Sequence, residues 1–501
     1  MAHTETTEKS MILASSAPPP PPPQFVLVPL IGQGHTIPMV DLAYLLVERG
    51  ARVSLVTTPV NAARLQGVAD RARRATLPLE IVELPFPPAD DGLSPGSANV
   101  DNFLRLFLDL YRLAGPLEAY LRALPRRPNC IISDSCNPWT ARVARSVGVP
   151  RLFFHVASCF YSLCKLKAAT HGLLLHDGNK DDAYVEVPGM PVRVEVSKDT
   201  WSSSYTTPEW EAFVEDAREG MRTADGAVLN TFLGLEGQFV KCFEAALGKP
   251  VWALGPFFLN NRDEEAVATR GDKDKPSAVD QDAVTAWLDA MDESAVTYVS
   301  FGSLVRMPPE QLYEVGHGLE DSGKPFLWVV KESETASPEA REWLQALEAR
   351  TAGRGLVVRG WVSQLAILSH RAIGGFVTHC GWNSLLESVA HGVPVVTWPH
   401  FGDQFLNEQL VVEVLGVGVP VRGAAGPVVP VVREHVERAV SELMGGGAVA
   451  HERRRKCKEF GERAHRAVAK GGSSHENLTQ LLHSFVRSGS TEQQTTQDRN
   501  C

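Results

Sequence analysis

Short apolar runs, recurring along the chain with helix-length stretches between them, limit most tightly what this sequence can fold into. The first is FVLVPLI (Phe25 to Ile31), followed by RVSLVTT, LEIVELP, CIISD, RLFFHV, GAVLNT and VWALGP. A continuous apolar run, rather than an alternating one, is the mark of a strand buried on both faces. Strand, helix and strand repeated in this way predict a parallel, doubly wound α/β sheet. A polar, charged stretch, NNRDEEAVATRGDKDKPSAVDQ, interrupts the pattern from Asn260 to Gln281. The alternation then restarts with TYVSFGS, FLWVVK, GLVVRGW, IGGFVTH and PVVTWP. Two successive Rossmann-like domains are therefore expected, at residues 24–258 and 282–487, with 259–281 as an exposed linker. Residues 1–23, ending in the prolines Pro18 to Pro23, and residues 488–501 read as disordered tails.

Size and composition agree with a two-domain globular protein. The chain has 501 residues, 44% hydrophobic and 22% charged, too long for one ordinary core and too apolar for disorder. Its formal net charge of -10 argues against a nucleic acid or an anionic membrane as principal partner. None of the eight cysteines forms a C-x-x-C pair, so reduced thiols are expected rather than a zinc or redox motif. The N-terminal stretch lacks the features of a signal peptide, and no apolar run is long enough to span a bilayer. A cytoplasmic protein, acting as a monomer, is the expectation.

Facing sheets of this kind place a cleft at the carboxyl ends of their strands. His35 lies just beyond the first apolar run, in Gly32-Gln33-Gly34-His35, with Thr36 expected to cap the helix that follows. Asp134 ends the run CIISD. An imidazole suits proton abstraction near neutral pH, and a carboxylate would hold its tautomer. A loop histidine and a helix-capping aspartate are the alternative, and spacing leaves both open.

The second half is denser in candidates. Trp361 to Gln409 reads WVSQLAILSHRAIGGFVTHCGWNSLLESVAHGVPVVTWPHFGDQFLNEQ. A strand ending at His379 leads into Cys380-Gly381-Trp382-Asn383-Ser384 and then a helix, so free amides and a close-approach glycine meet at a helix N-terminus, a site suited to pyrophosphate. Glu387 lies one turn on from Asn383. The Trp361 indole suits stacking on a flat base, and Asp403 and Gln404 suit sugar hydroxyls.

This stretch resembles the donor-binding signature of plant UDP-dependent glycosyltransferases, through W..Q, GGF.THCGWNS..E, HG.P...WP and DQ in register. QGH, Asp134 before Pro138-Trp139, LNTF (Leu229 to Phe232) and SFGS (Ser300 to Ser303) extend the resemblance over most of the chain. It implies the GT-B fold of two facing Rossmann-like domains. By similarity, Trp361 stacks on uracil with Gln364 near the nucleoside, and Glu387 bonds the ribose. Ser303, His379, Asn383 and Ser384 hold the diphosphate, while Trp382, Asp403 and Gln404 surround the sugar. His35 becomes the general base and Asp134 its partner. The implied co-substrate is UDP-glucose, since Gln404 resembles glucose users and a His there is associated with galactose users; no cofactor or metal is implied. Ser363, where the family usually has Pro, and Gly32, where Ala is more usual, depart from the pattern.

The expected activity is inverting transfer of glucose to a hydroxyl of a small lipophilic acceptor: a flavonoid, triterpenoid, steroid or plant hormone. The acceptor would lie among Pro85 to Asn102 and His155 to Leu175, with Phe86, Phe160, Tyr161 and Leu163 as apolar lining. Another UDP-sugar, or binding without turnover, is the alternative. A dinucleotide oxidoreductase is disfavoured because Gly32-Gln33-Gly34-His35-Thr36-Ile37 lacks the last glycine of its motif and no acid follows near Val53 to Val56. Gly92-Leu93-Ser94-Pro95-Gly96 matches a hydrolase elbow in letters but follows no strand.

Overall fold

A computed structural model describes residues 21–86, 103–173, 184–197, 207–260, 281–422 and 430–497. Most of the N-terminal tail, linker residues 261–280, the Gly92 to Gly96 motif, most of the Pro85 to Asn102 acceptor segment and the last two residues of the His155 to Leu175 segment lie outside the described residues.

The apolar runs become strands of two parallel sheets. The first contains β1 (Gln24–Val28), β2 (Arg52–Thr57), β3 (Leu79–Glu83), β4 (Cys130–Asp134) and β5 (Arg151–His155). A two-stranded hairpin, β6 (Val185–Glu186) and β7 (Glu195–Val196), stands apart, and β8 (Gly226–Leu229) and β9 (Val251–Ala253) return to the first sheet. The second sheet contains β10 (Val296–Ser300), β11 (Phe326–Val330), β12 (Gly355–Arg359), β13 (Ile373–Thr378), β14 (Val395–Thr397) and β15 (Gly418–Pro420). The spatial orders are β3-β2-β1-β4-β5-β8-β9 and β12-β11-β10-β13-β14-β15. All pairings within these two sheets are parallel. This is the GT-B arrangement. Central strands are buried along their length, as in β4 and β13, because helices cover both faces.

The halves share one apolar cluster. Phe160, Phe239 and Val240 from the first half pack in the same core as Trp382, Leu385 and Leu406 from the second. Such a seam holds the sheets together more firmly than a polar domain contact would. The last helix, Ser473–Gln497, follows the second sheet in the chain but packs on the first. Leu478, Leu481, Leu482 and Phe485 join the core around β1 and α/β crossovers of the first sheet. Asn477 Nδ2 donates to Ala253 O (3.0 Å), and Asn129 Nδ2 donates to Phe485 O (2.9 Å). The backbone of this helix also continues beyond residue 487. Among the described residues no helix is long and apolar enough to cross a membrane.

Candidate active site

In both sheets the strand order reverses direction at one place, between β1 and β4 in the first and between β10 and β13 in the second. Crossovers leave such a pair on opposite sides, opening a crevice at the carboxyl ends of the strands. β1 runs into the helix Gln33–Glu48 after Gly32, which is its N-cap. Thr36 is therefore inside the first turn rather than at the cap, and its hydroxyl donates to Leu30 O (3.1 Å). This turn carries His35 over the end of β4, where Asp134 is fully buried. His35 Nδ1 lies 2.7 Å from Asp134 Oδ2, and Asp134 Oδ1 accepts the Cys136 N–H at 2.8 Å. An ionised carboxylate only accepts, so it holds the proton on Nδ1 and leaves the Nε2 lone pair able to accept a proton. Burial disfavours the charged imidazole, but the charge and hydrogen bond of Asp134, with Asp403 further off, hold its pKa above the ordinary value.

At the second crevice, Phe301-Gly302-Ser303 follows β10 and His379 follows β13. Cys380 takes a left-handed conformation (φ 66°), unusual for a residue with a side chain. It turns the chain into the helix Trp382–Ala390, whose N-cap, Gly381, supplies no side-chain cap. The first-turn amides of Trp382, Asn383 and Ser384 thus have no intrahelical acceptor. The His379 ring is pinched between two glycines: a Cβ on Gly302 would lie 2.5 Å from Cε1, and one on Gly381 2.5 Å from Nε2. Burial, reinforced by Lys331, pushes the His379 pKa down to about 4, and its Nδ1 is buried without a partner. Ser303 is exposed on the turn. A neutral imidazole, a hydroxyl and helix-terminal amides form a set of donors suited to phosphate oxygens.

The remaining candidates extend from this point. Trp361 is partly exposed between β12 and the helix Gln364–Leu368. Gln364 Nε2 donates to Ser384 Oγ (3.1 Å) and Glu387 Oε2 (2.8 Å), joining three of the predicted residues in one network. Ser363 is the N-cap of that short helix, its hydroxyl accepting from Ala366 N at 3.4 Å, and its own N–H donates to Gln281 Oε1 (3.2 Å), a bond proline cannot make. Burial pushes the Asp403 pKa up to about 6, opposed mainly by a hydrogen bond from Asn407 (2.8 Å). Gln404 Oε1 accepts the amides of His400 (2.8 Å) and Phe401 (3.1 Å), so its NH2 group is what it can offer a ligand.

Three hydrogen bonds close the seam between the crevices. Asn383 Nδ2 donates to Gly34 O (2.7 Å), beside His35. Trp382 Nε1 donates to Asn230 O (2.9 Å), and Ser158 Oγ to Asn407 Oδ1 (2.8 Å). They bring the His35–Asp134 pair and the second-half donors to a single cleft.

Two family models cover the chain in sequence: "Glycosyltransferase, N-terminal domain" over residues 24–259 and "UDP-glucoronosyl and UDP-glucosyl transferase" over residues 241–443. UDP-glycosyltransferase 73C3 of Arabidopsis thaliana is 40% identical over 480 residues, covering 92% of this chain and 96% of the relative. The chain belongs to the plant UDP-glycosyltransferase family. UDP-glycosyltransferase 73C11 of Barbarea vulgaris, 39% identical with the same coverage, is a further relative. Among solved structures, Glycyrrhiza uralensis UGT73P12 complexed with glycyrrhetinic acid 3-O-monoglucuronide is similar at TM-score 0.84 and 31% identity, over 95% of this chain and 99% of that one. Phytolacca americana UGT2 complexed with UDP-2fluoro-glucose and pterostilbene matches at TM-score 0.73 and 26% identity, over 93% of this chain and 100% of that one.

The geometry of this UDP-glycosyltransferase departs from the residue-by-residue expectation in two places. Trp382 is expected beside the sugar, but the residue is 3% exposed and its indole N–H donates to Asn230 O. Phe160 and Leu163, expected in the acceptor lining, are fully buried, and Phe160 packs edge-on against Phe239 at 5.1 Å. Alternate faces of their helix explain this, since Tyr161 remains only partly buried and stacks on His155 at 6.1 Å. Asn407 was missed. It donates to Cys380 O (3.0 Å) as well as Asp403, so it orients the Asp403 carboxylate and ties it to the seam. Its position one helical turn after Asp403 is the signal that would have found it.

Proposed function

We propose that this UDP-glycosyltransferase moves glucose from UDP-glucose to a hydroxyl of a small lipophilic acceptor with inversion at the anomeric carbon. The carrying observation is the 2.7 Å pair of His35 and buried Asp134, set where the seam bonds join it to the donor half. His35 Nε2 takes the acceptor proton as the oxygen attacks the anomeric carbon, and Asp134 stabilises the imidazolium that forms. The departing UDP meets His379, Ser303 and the amides at Trp382, Asn383 and Ser384. Trp361 carries the uracil, Gln364 and Glu387 the nucleoside and ribose, and Asp403 and Gln404 the glucose hydroxyls. The scheme uses no metal ion, and the protein acts as a cytoplasmic monomer. Support for a lipophilic acceptor comes from the similar structures: the two solved proteins named above are complexed with glycyrrhetinic acid 3-O-monoglucuronide and with pterostilbene.

The test is UDP release from UDP-glucose and UDP-galactose with flavonoid, triterpenoid, steroid and hormone acceptors, alongside His35→Ala. Acceptor-dependent release that favours glucose and falls about 10²–10⁴-fold in the variant, with UDP still bound, is expected. Binding of UDP without release under any pairing would instead make the chain a nucleotide-sugar binder. Equal activity in the variant would remove His35 from the mechanism.

A further inference from the structure

Three buried basic nitrogens around the second crevice make no hydrogen bond, and one of them, Lys331 Nζ, has an ion pair to Glu334 alone. His379 Nδ1, His400 Nε2 and Lys331 Nζ are shielded from solvent and make no hydrogen bond. Buried donors are nearly always satisfied, so three in one neighbourhood point to an acceptor that the protein itself does not supply.

They come together because of the sheet. Lys331 follows β11, His379 follows β13, and His400 lies three residues beyond β14. β10 lies between β11 and β13: Val299 pairs with Trp328, and Ser300 with Thr378. The turn Phe301-Gly302-Ser303 therefore emerges between Lys331 and His379. Gly302 presses on the His379 ring, while Phe301 meets His400 edge-on at 5.9 Å. His400 is stacked on Trp398, with ring centroids 6.1 Å apart and planes 10° from parallel, and its main-chain N–H donates to Gln404 Oε1. Lys331 Nζ is 3.5 Å from Glu334 Oε1, an ion pair without a hydrogen bond. Glu334 is also occupied by the main-chain amides of Met307 (3.2 Å) and Lys331 (3.1 Å). The groups act on one another electrically. Burial, then Lys331, lowers the pKa of His379, and burial, then His379, Arg422 and Lys331, lowers that of His400. Both imidazoles are therefore neutral near pH 7, and an anion entering this space would pair with the Lys331 cation and accept from the idle ring N–H groups.

We propose that Lys331 and His400 join His379 in a phosphoryl pocket beside the Phe301–Ser303 turn, which takes the terminal phosphate of the nucleotide. The helix amides at Trp382 to Ser384 are then left for the phosphate nearer the ribose. This pocket deepens the donor reading above and rests on it. It also bears on leaving-group departure, since the terminal phosphate of UDP gains charge when its bond to the sugar breaks.

Calorimetric titration of uridine, UMP, UDP and inorganic phosphate into the wild type, Lys331→Met and His400→Phe separates the possibilities. Methionine keeps most of the lysine stem, and phenylalanine keeps a ring against Trp398. Each variant should bind uridine and UMP as the wild type does, which also shows that it is folded, and should bind UDP roughly ten- to a hundredfold more weakly. An unchanged ratio of UDP to UMP affinity in both variants would overturn the pocket. So would variants that lose only inorganic phosphate, which would make it a site for free anion. A wild type that binds none of the nucleotides would sink the donor reading itself. Should one variant fail to fold, losing uridine as well, the other decides.

Discussion

Replacing Asp134 by Asn separates charge from shape at the proposed base. The native carboxylate accepts twice, from His35 Nδ1 at 2.7 Å and from the Cys136 N–H at 2.8 Å. An amide of the same shape offers one acceptor and one donor group. The Cys136 N–H is fixed by the backbone and keeps the oxygen, so the NH2 group must face His35. Nδ1 then becomes an acceptor, the tautomer reverses, and Nε2 carries the proton it should receive. The whole general-base contribution is lost, about 10²–10⁴ in rate, or about 3–5 kcal/mol at 1.36 kcal/mol per decade. The main-chain bond survives, so folding should be little affected. Steady-state UDP release gives kcat, calorimetry gives UDP affinity, and a thermal melt reports the fold. The expectation is a collapse in kcat with UDP affinity and melting point near those of the parent. A kcat within about tenfold of the parent would refute the tautomer argument. Loss of UDP binding in parallel would make Asp134 a structural residue instead.

Three further outcomes follow from the same geometry. The base works only as neutral imidazole, and Asp134 holds the His35 pKa above 6.5, so kcat/KM should be lost as pH falls through a value above that. The donor KM should rise separately as Asp403 protonates near its pKa of about 6; a flat profile from pH 5 to about 8 would contradict both assignments. Trp382→Phe removes the 2.9 Å bond to Asn230 O and leaves a buried carbonyl unpaired, at a cost of about 1–3 kcal/mol. A melting point lowered by several degrees, with the UDP affinity of the folded protein nearly kept, is expected. An unchanged melting point together with a large rise in donor KM would return the indole to the sugar site.

Much of the site was legible because its residues follow strands. His35, Asp134, Ser303 and His379 each lie at or just beyond the carboxyl end of a buried apolar run, and parallel sheets place such positions on one edge. Side-chain direction was less legible. Phe160 and Leu163 share a segment with Tyr161, and composition marks all three as apolar lining, but the helix sends the first two into the core and the third toward His155. Trp382 sits inside the most recognisable stretch of the chain, yet Asn230, 152 positions earlier, captures its indole. Ser363, a departure from the expected proline, proved to be a helix cap tied to Gln281, which no local pattern could have indicated.

The sequence by itself determined the two parallel sheets, their order along the chain and the family, because these depend on local periodicity and on spacings preserved within short segments. Tertiary structure alone decided which partner each polar group takes. It paired Asn383 with Gly34, Ser158 with Asn407 and the last helix with the first sheet, and it collected Lys331, His379 and His400 around one turn. Those pairings join residues far apart in the chain, and their energies depend on burial and exact direction, neither of which exists until both sheets have packed.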